Sequence, residues 1–175
     1  MQNTNIKNEI ERNDQGEAVV TNVFDEWNKL KQEIDNRQTF SNFRSREIWW
    51  CSVGKNIGTE EDGKNISFER PVLVLKKWSS QFFVGLPLTT KKQIEEKSAK
   101  YYFKYNLNDL KDGYIMLSQV RVFSSKRLIR RIKKVGTDDF KIIHLAAQNL
   151  LFDNTLPDKV ETALSSGSPV PNGNL

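Results

Sequence analysis

The segment Glu69–Thr90, ERPVLVLKKWSSQFFVGLPLTT, constrains the fold of this chain more than any other. Val72–Leu75 is an unbroken aliphatic run, and Phe82–Leu88 is a second apolar run. The connection Lys76–Gln81 is long enough for a hairpin and too short for a crossover helix, so the two runs are expected to pair antiparallel. Such pairing brings Arg70, just before the first run, beside Thr89 and Thr90 at the end of the second. A guanidinium and two hydroxyls converging at one end of a stiff sheet are suited to hold a phosphate.

The rest of the chain is read around this hairpin. Residues 1–20 are polar, of mixed charge and without apolar periodicity, and are expected to be disordered. Residues 21–41 form a helix and a connector: Thr21 or Asn22 can cap it, and Phe24, Trp27, Leu30 and Ile34 share one face. Residues 42–152 form the folded domain, and 153–175, rich in Ser, Pro, Gly and Asn, form a flexible tail. Within the domain, Arg46–Val53 reads as a strand in which Trp49 and Trp50 point to opposite faces. Gly54–Glu69 is a polar loop of a length that more often carries function than not. Further strands are expected over Lys100–Asn106 and, as one long element, Tyr114–Phe123, followed by a shorter element over Ser125–Val135. A last helix capped at Thr137 or Asp138 turns Phe140, Ile143, Ala147, Leu150 and Leu151 inward. Several short strands followed by a helix predict a mainly β fold, a small and strongly curved antiparallel barrel.

Charge separates the domain from its flanks. Residues 42–152 hold 21 Lys or Arg against 11 Asp or Glu, whereas both flanks are net acidic. A basic body points to a polyanion such as DNA or RNA, or simply to a solvated surface. No apolar run approaches the ~20 residues that span a bilayer, and the N-terminus lacks a signal-peptide pattern, so a cytoplasmic protein without membrane contact is expected. The single cysteine, Cys51, excludes an internal disulfide and gives no zinc framework; it reads as a core thiol. His144, the only histidine, lies in the last helix, in KIIHLAAQ, where no motif residue falls, and is not expected to be catalytic. No metal and no cofactor is expected.

The segments EIWW (47–50), NIGTEEDG (56–63), ERPVLVL (69–75), GLPLTTK (85–91), IMLSQVR (115–121) and SSKRL (124–128), in this order and at these distances, resemble the MazF/PemK (Kid) family of type II toxin endoribonucleases. The resemblance covers about residues 46–152. It implies an SH3-like barrel with a C-terminal helix, to which this chain adds an N-terminal helix. It also implies a homodimer, a cognate antitoxin protein as partner, and metal-independent, sequence-selective cleavage of single-stranded RNA, messenger RNA foremost. The family's first loop, Gly-Ser-Glu-Gln-Gly-Gly-x-Arg-Pro, is met by Gly58, Thr59, Glu60, Arg70 and Pro71. Glu61 stands where the family has Gln, and about five more residues separate glutamate from arginine. Thr89 falls on the threonine placed at the scissile phosphate, and Gln119 on the glutamine of the later strand. Ser118 and Met116 replace the acid and arginine that serve other members, which leaves the Arg70–Thr89 version of the site.

The resemblance thus implies Arg70, Thr89 and Glu60 as catalytic residues, with Thr59, Thr90, Lys91, Lys92 and Gln119 as RNA-binding residues. Arg70 suits bidentate phosphate binding and is a reluctant acid, Thr89 can donate one hydrogen bond, and Glu60 is the expected base. The plainer readings are a structural ion pair of Arg70 with Glu47 or Glu69, ordinary strand usage of Thr89, and a surface role for Glu60. Trp78, with Lys76 and Lys77, has the chemistry of a base-stacking site or of a ring folded over the barrel. The basic run 126–134 suits RNA, a dimer or an antitoxin surface. The N-terminal helix is expected to cover its own barrel where an antitoxin would bind, so that removing residues 1–40 raises activity. A catalytically inactive member that binds a topoisomerase, or a general nucleic-acid-binding module, is the alternative on the same fold.

Overall fold

The structure is a computed structural model that describes residues 9–12, 18–90, 96–105 and 113–152. In chain order its elements are β1 (Glu9–Arg12), β2 (Ala18–Thr21), α1 (Val23–Asp35), β3 (Glu47–Ser52), β4 (Glu69–Lys77), β5 (Phe82–Thr89), β6 (Tyr102–Lys104), β7 (Tyr114–Met116), β8 (Arg121–Ser124), β9 (Leu128–Lys134) and α2 (Thr137–Phe152). The expected hairpin is β4–β5, antiparallel with Val72 opposite Pro87 and Leu73 opposite Leu86. It sits in the middle of a seven-stranded antiparallel sheet of order β6-β7-β5-β4-β3-β9, with β8 also paired to β5. The fold is mainly β with one helix at each end, as expected.

The continuous apolar run of β4 is explained by burial on both faces. Leu73 packs with Ile48, Leu86, Leu88 and Ile115 under Ile143, Ala146 and Ala147 of α2. Val72 and Val74 face the other way, into Phe43, Cys51, Val53, Phe83, Phe123 and Leu128. Register shifts between β3 and β9 at Ile48/Trp49 and Trp50/Cys51, and between β4 and β5 at Val74/Lys76, bend the sheet around these clusters.

Four expectations change. Within the stretch expected to be disordered, Glu9–Arg12 and Ala18–Thr21 pair as an antiparallel hairpin, Ile10 opposite Val20, in keeping with the β-branched residues there. The long strand 114–123 is two strands. β7 pairs with Leu88 and Thr89, β8 with Phe82–Gly85, and the 3-10 turn Leu117–Gln119 takes up the intervening residues. The pairing is interrupted opposite Pro87, which has no N–H to give to a ladder. The strand expected over 100–106 is confined to Tyr102–Lys104, because Glu96–Tyr101 forms a 3-10 helix. In α2, Leu151 is exposed, and Ala146 and Asn149 are buried beside Ile143 and Ala147.

Helix α1 starts as its sequence predicts: the Asn22 side chain accepts from the Phe24 N–H at 3.1 Å. It buries Trp27 and Ile34 against Phe68 of the same chain and leaves Phe24 exposed. None of the described helices is long and apolar enough to cross a membrane. The segments 1–8 and 153–175, the latter expected as a flexible tail, lie outside the described residues.

Candidate active site

The loop joining β3 to β4 folds back on itself at both roots. The Phe68 carbonyl accepts from Val53 (2.9 Å) and Gly54 (3.2 Å), and the Gly63 N–H donates to the Gly54 carbonyl (2.7 Å). Gly54 has φ +103°, and a Cβ there would overlap the Trp27 ring. Trp27 in turn packs on the Phe68 ring at 5.5 Å, and the Arg127 guanidinium lies over the Trp27 ring at 5.3 Å from its centre. The helix therefore sits on both roots of the loop.

Inside the loop, polar side chains replace a regular ladder. Asp62 accepts from the Asn56 N–H (2.7 Å) and pairs with Lys55. The Asn56 amide donates to the Glu61 carbonyl (2.7 Å) and accepts from Arg121 (3.3 Å). The 3-10 turn after β7 delivers Gln119, whose Oε1 accepts from the Glu61 N–H (3.1 Å) and whose Nε2 donates to the Thr59 carbonyl (3.1 Å). These contacts fix residues 59–62 above the start of β4.

Arg70 lies directly beneath them and is 5% exposed. Its Nε donates to the Asp62 carbonyl (2.7 Å), its Nη1 to the Leu88 carbonyl (3.3 Å), and its Nη2 pairs with the Glu61 carboxylate. Burial holds the guanidinium pKa below its ordinary value, and Glu61 and Asp62 offset only part of that. The Leu88 contact reports the convergence that the hairpin predicted: Thr89, itself buried, follows on the neighbouring strand, and exposed Thr90 comes next. A cavity of about 300 Å³ opens at this end of the sheet, lined by Arg70, Thr89, Thr90, Trp50, Glu69 and Asn65 among others. A buried cation, hydroxyls and a carboxylate beside an open cavity can bind an anionic group and exchange a proton next to it.

Residues 44–151 match the family described as PemK-like, MazF-like toxin of type II toxin-antitoxin system. The chain belongs to this toxin family. The search of curated proteins gives no match. Among solved structures, the chain is similar to an endoribonuclease in complex with its cognate antitoxin from a mycobacterial species, at 12% identity and a TM-score of 0.47, covering 66% of this chain and 100% of that one.

Set against the residues expected from the toxin family, the structure brings Arg70 and Thr89 together and leaves Glu60 outside. Glu60 is exposed, and its carboxylate accepts from the Ile57 N–H at 3.3 Å within its own loop turn. The carboxylate at Arg70 belongs to Glu61, because the loop turns at Asp62 and directs the later glutamate inward. Gln119 spends both ends of its amide on the loop, so it holds the site's frame; Thr59 meets it through its carbonyl. Lys91 and Lys92 lie outside the described residues. The ion-pair partners suggested for Arg70 are engaged elsewhere: Glu47 with Arg131 at 3.2 Å and Glu69 with Arg130 at 3.3 Å.

Trp78 is 55% exposed at the β4–β5 turn, with its ring against Phe82, at the opposite end of the hairpin from Arg70. His144 is exposed on α2 beside Phe140. Cys51 is fully buried, and burial raises its thiol to about 12 despite Arg127 and Arg121. Much of the basic run is held by the fold: Arg127 donates to the Ser52 carbonyl (2.9 Å), and Lys126 to the Asp35 carbonyl at the end of α1 (2.6 Å). The sequence did not single out Glu61 as the partner of Arg70, Trp50 as lining the cavity, or Arg130 as the cation over the Trp50 ring. The signals available for the last two were the alternation of Trp49 with Trp50 and the basic run 126–134, which includes Arg130.

Proposed function

We propose that the protein is a toxin endoribonuclease that cleaves single-stranded RNA by attack of the 2′-hydroxyl, without a metal. The observation that carries this reading is the buried Arg70 guanidinium, in contact with the Glu61 carboxylate and opening with Thr89 onto one cavity. Arg70 uses one N–H of each terminal nitrogen on Leu88 and Glu61, which leaves one on each for phosphate oxygens. Thr89 donates to a phosphate oxygen. Glu61, rather than Glu60, takes the proton of the 2′-hydroxyl as its oxygen bonds to phosphorus. The bond from phosphorus to the 5′ oxygen breaks, and that oxygen leaves with a proton from water, since Arg70 stays charged. The products are a 2′,3′-cyclic phosphate, or a 3′-phosphate after hydrolysis, and a 5′-hydroxyl.

The proposed catalytic unit is residues 42–152, cytoplasmic, working as a homodimer, selective for a short sequence in messenger RNA, and neutralised by a cognate antitoxin as family membership suggests. One observation favours the alternative of a binding module that does not cut: the guanidinium of Arg70 already has three protein acceptors. Incubating the purified protein with mixed single-stranded RNA in EDTA separates the two. Cuts at a recurring short sequence with cyclic-phosphate ends support the enzyme; binding without cuts supports the module.

A further inference from the structure

The outer face beside the Arg70 cavity carries a row of side chains that the proposed chemistry does not use. On β3, Trp50 lies opposite Pro71 of β4 and opposite Arg130 of β9. The Arg130 guanidinium sits over the Trp50 ring, 4.9 Å from its centre. Arg130 is held there by the Glu69 carboxylate at 3.3 Å, and the other oxygen of that carboxylate accepts from the Asn65 amide at 2.9 Å. Glu69 is itself buried, so the pair rests on a fixed support, while the Arg130 side chain is 56% exposed. Trp50 and Pro71 line the same cavity as Arg70 and Thr89. By contrast Trp49, the next residue, packs on the core, and its indole N–H is spent on Glu47 at 3.0 Å.

We infer that Trp50, backed by Arg130, is a nucleobase-stacking subsite adjoining the phosphate pocket of Arg70 and Thr89. A half-buried indole offers a flat apolar surface to any base, and a guanidinium stacked on the same ring adds positive charge next to the strand's backbone. A phosphate seated at Arg70 puts a neighbouring base within reach of the same cavity. The inference rests on the proposal above for its ligand, a single-stranded nucleic acid, and not on cleavage.

The test compares two uncleavable probes: a short mixed-sequence single strand of DNA and an abasic strand of the same length and charge. Trp50→Leu is expected to weaken binding of the base-bearing strand by roughly 5- to 150-fold, the range for one lost stack, and to leave abasic binding within about two-fold. Trp50→Phe retains most of the difference. Arg130→Ala, at a side chain more than half exposed, leaves the fold intact and also weakens the base-bearing strand more than the abasic one. Equal losses on both probes, or none, in Trp50→Leu and Arg130→Ala overturn the subsite; where Trp50→Leu does not fold, Arg130→Ala decides. RNA cleavage is scored separately. Base-dependent binding without cleavage retains the subsite and removes the nuclease, and cleavage with unchanged probe binding does the reverse.

Discussion

At the scale of single residues, the decisive distinction is between two adjacent glutamates. Glu61 touches Arg70, and Glu60 closes a turn in solvent. Glu61→Gln is therefore expected to lower kcat by about 10²- to 10⁴-fold with KM little changed, while Glu60→Gln stays near the parent. A faster Glu61→Gln enzyme in steady-state assays contradicts the base role and makes Glu61 a plug on the arginine. Glu47 gives a second residue-scale prediction. Burial raises its pKa, but the Arg44 N–H, Trp49 and Arg131 outweigh this and leave it below its ordinary 4.5. A lowered carboxylate stabilises the fold above its unfolded pKa and loses that contribution as pH falls through the folded one. Glu47→Gln is expected to cost about 2 kcal/mol at neutral pH, with the gap closing below pH 4.5, in urea midpoints measured against pH. Which glutamate meets Arg70 was not legible in the sequence, since the two differ only in which way the loop turns. That turn is set by Asn56, Asp62 and Gln119, and Gln119 comes from a 3-10 turn far along the chain.

At the scale of elements, the hairpin was legible and the break in the following strand was not. Two apolar runs with a short polar connection have few alternatives to β4–β5, and the ends that such pairing joins are those that carry Arg70 and Thr89. Tyr114–Phe123 has the composition of one strand, and only its pairing with both ends of β5 divides it. The helix α1 changes meaning most. It was expected to restrain activity by occupying an antitoxin surface. It does pack on its own chain, and its Trp27 sits on Gly54 and Phe68, the two roots of the loop that positions Glu61. Trp27→Ala, which removes about 3 to 5 kcal/mol of packing, is thus expected to lower the cleavage rate and to open the 54–68 loop to proteolysis. Removing residues 1–40 acts in the same direction. A rise in activity with the loop still protected restores the restraining role.

At the scale of the whole molecule, the basic charge of residues 42–152 is partly consumed by the fold. Arg70, Arg127, Arg130 and Arg131 each hold a carbonyl or a carboxylate, so the excess of cations overstates the number free for a nucleic-acid backbone. Binding of single strands is expected to weaken linearly in log salt, with a slope near −0.7 for each phosphate neutralised. The slope, read from titrations at several salt concentrations, is expected to correspond to only a few phosphates, well short of the count of basic residues. The most direct test of the account is the single-turnover cleavage rate of Arg70→Ala on single-stranded RNA in EDTA, beside the parent, with circular dichroism as the check on folding. The parent is expected to leave 2′,3′-cyclic phosphate ends, and the folded variant to be slower by at least about 10²-fold. A folded Arg70→Ala that cuts at the parent rate contradicts this expectation.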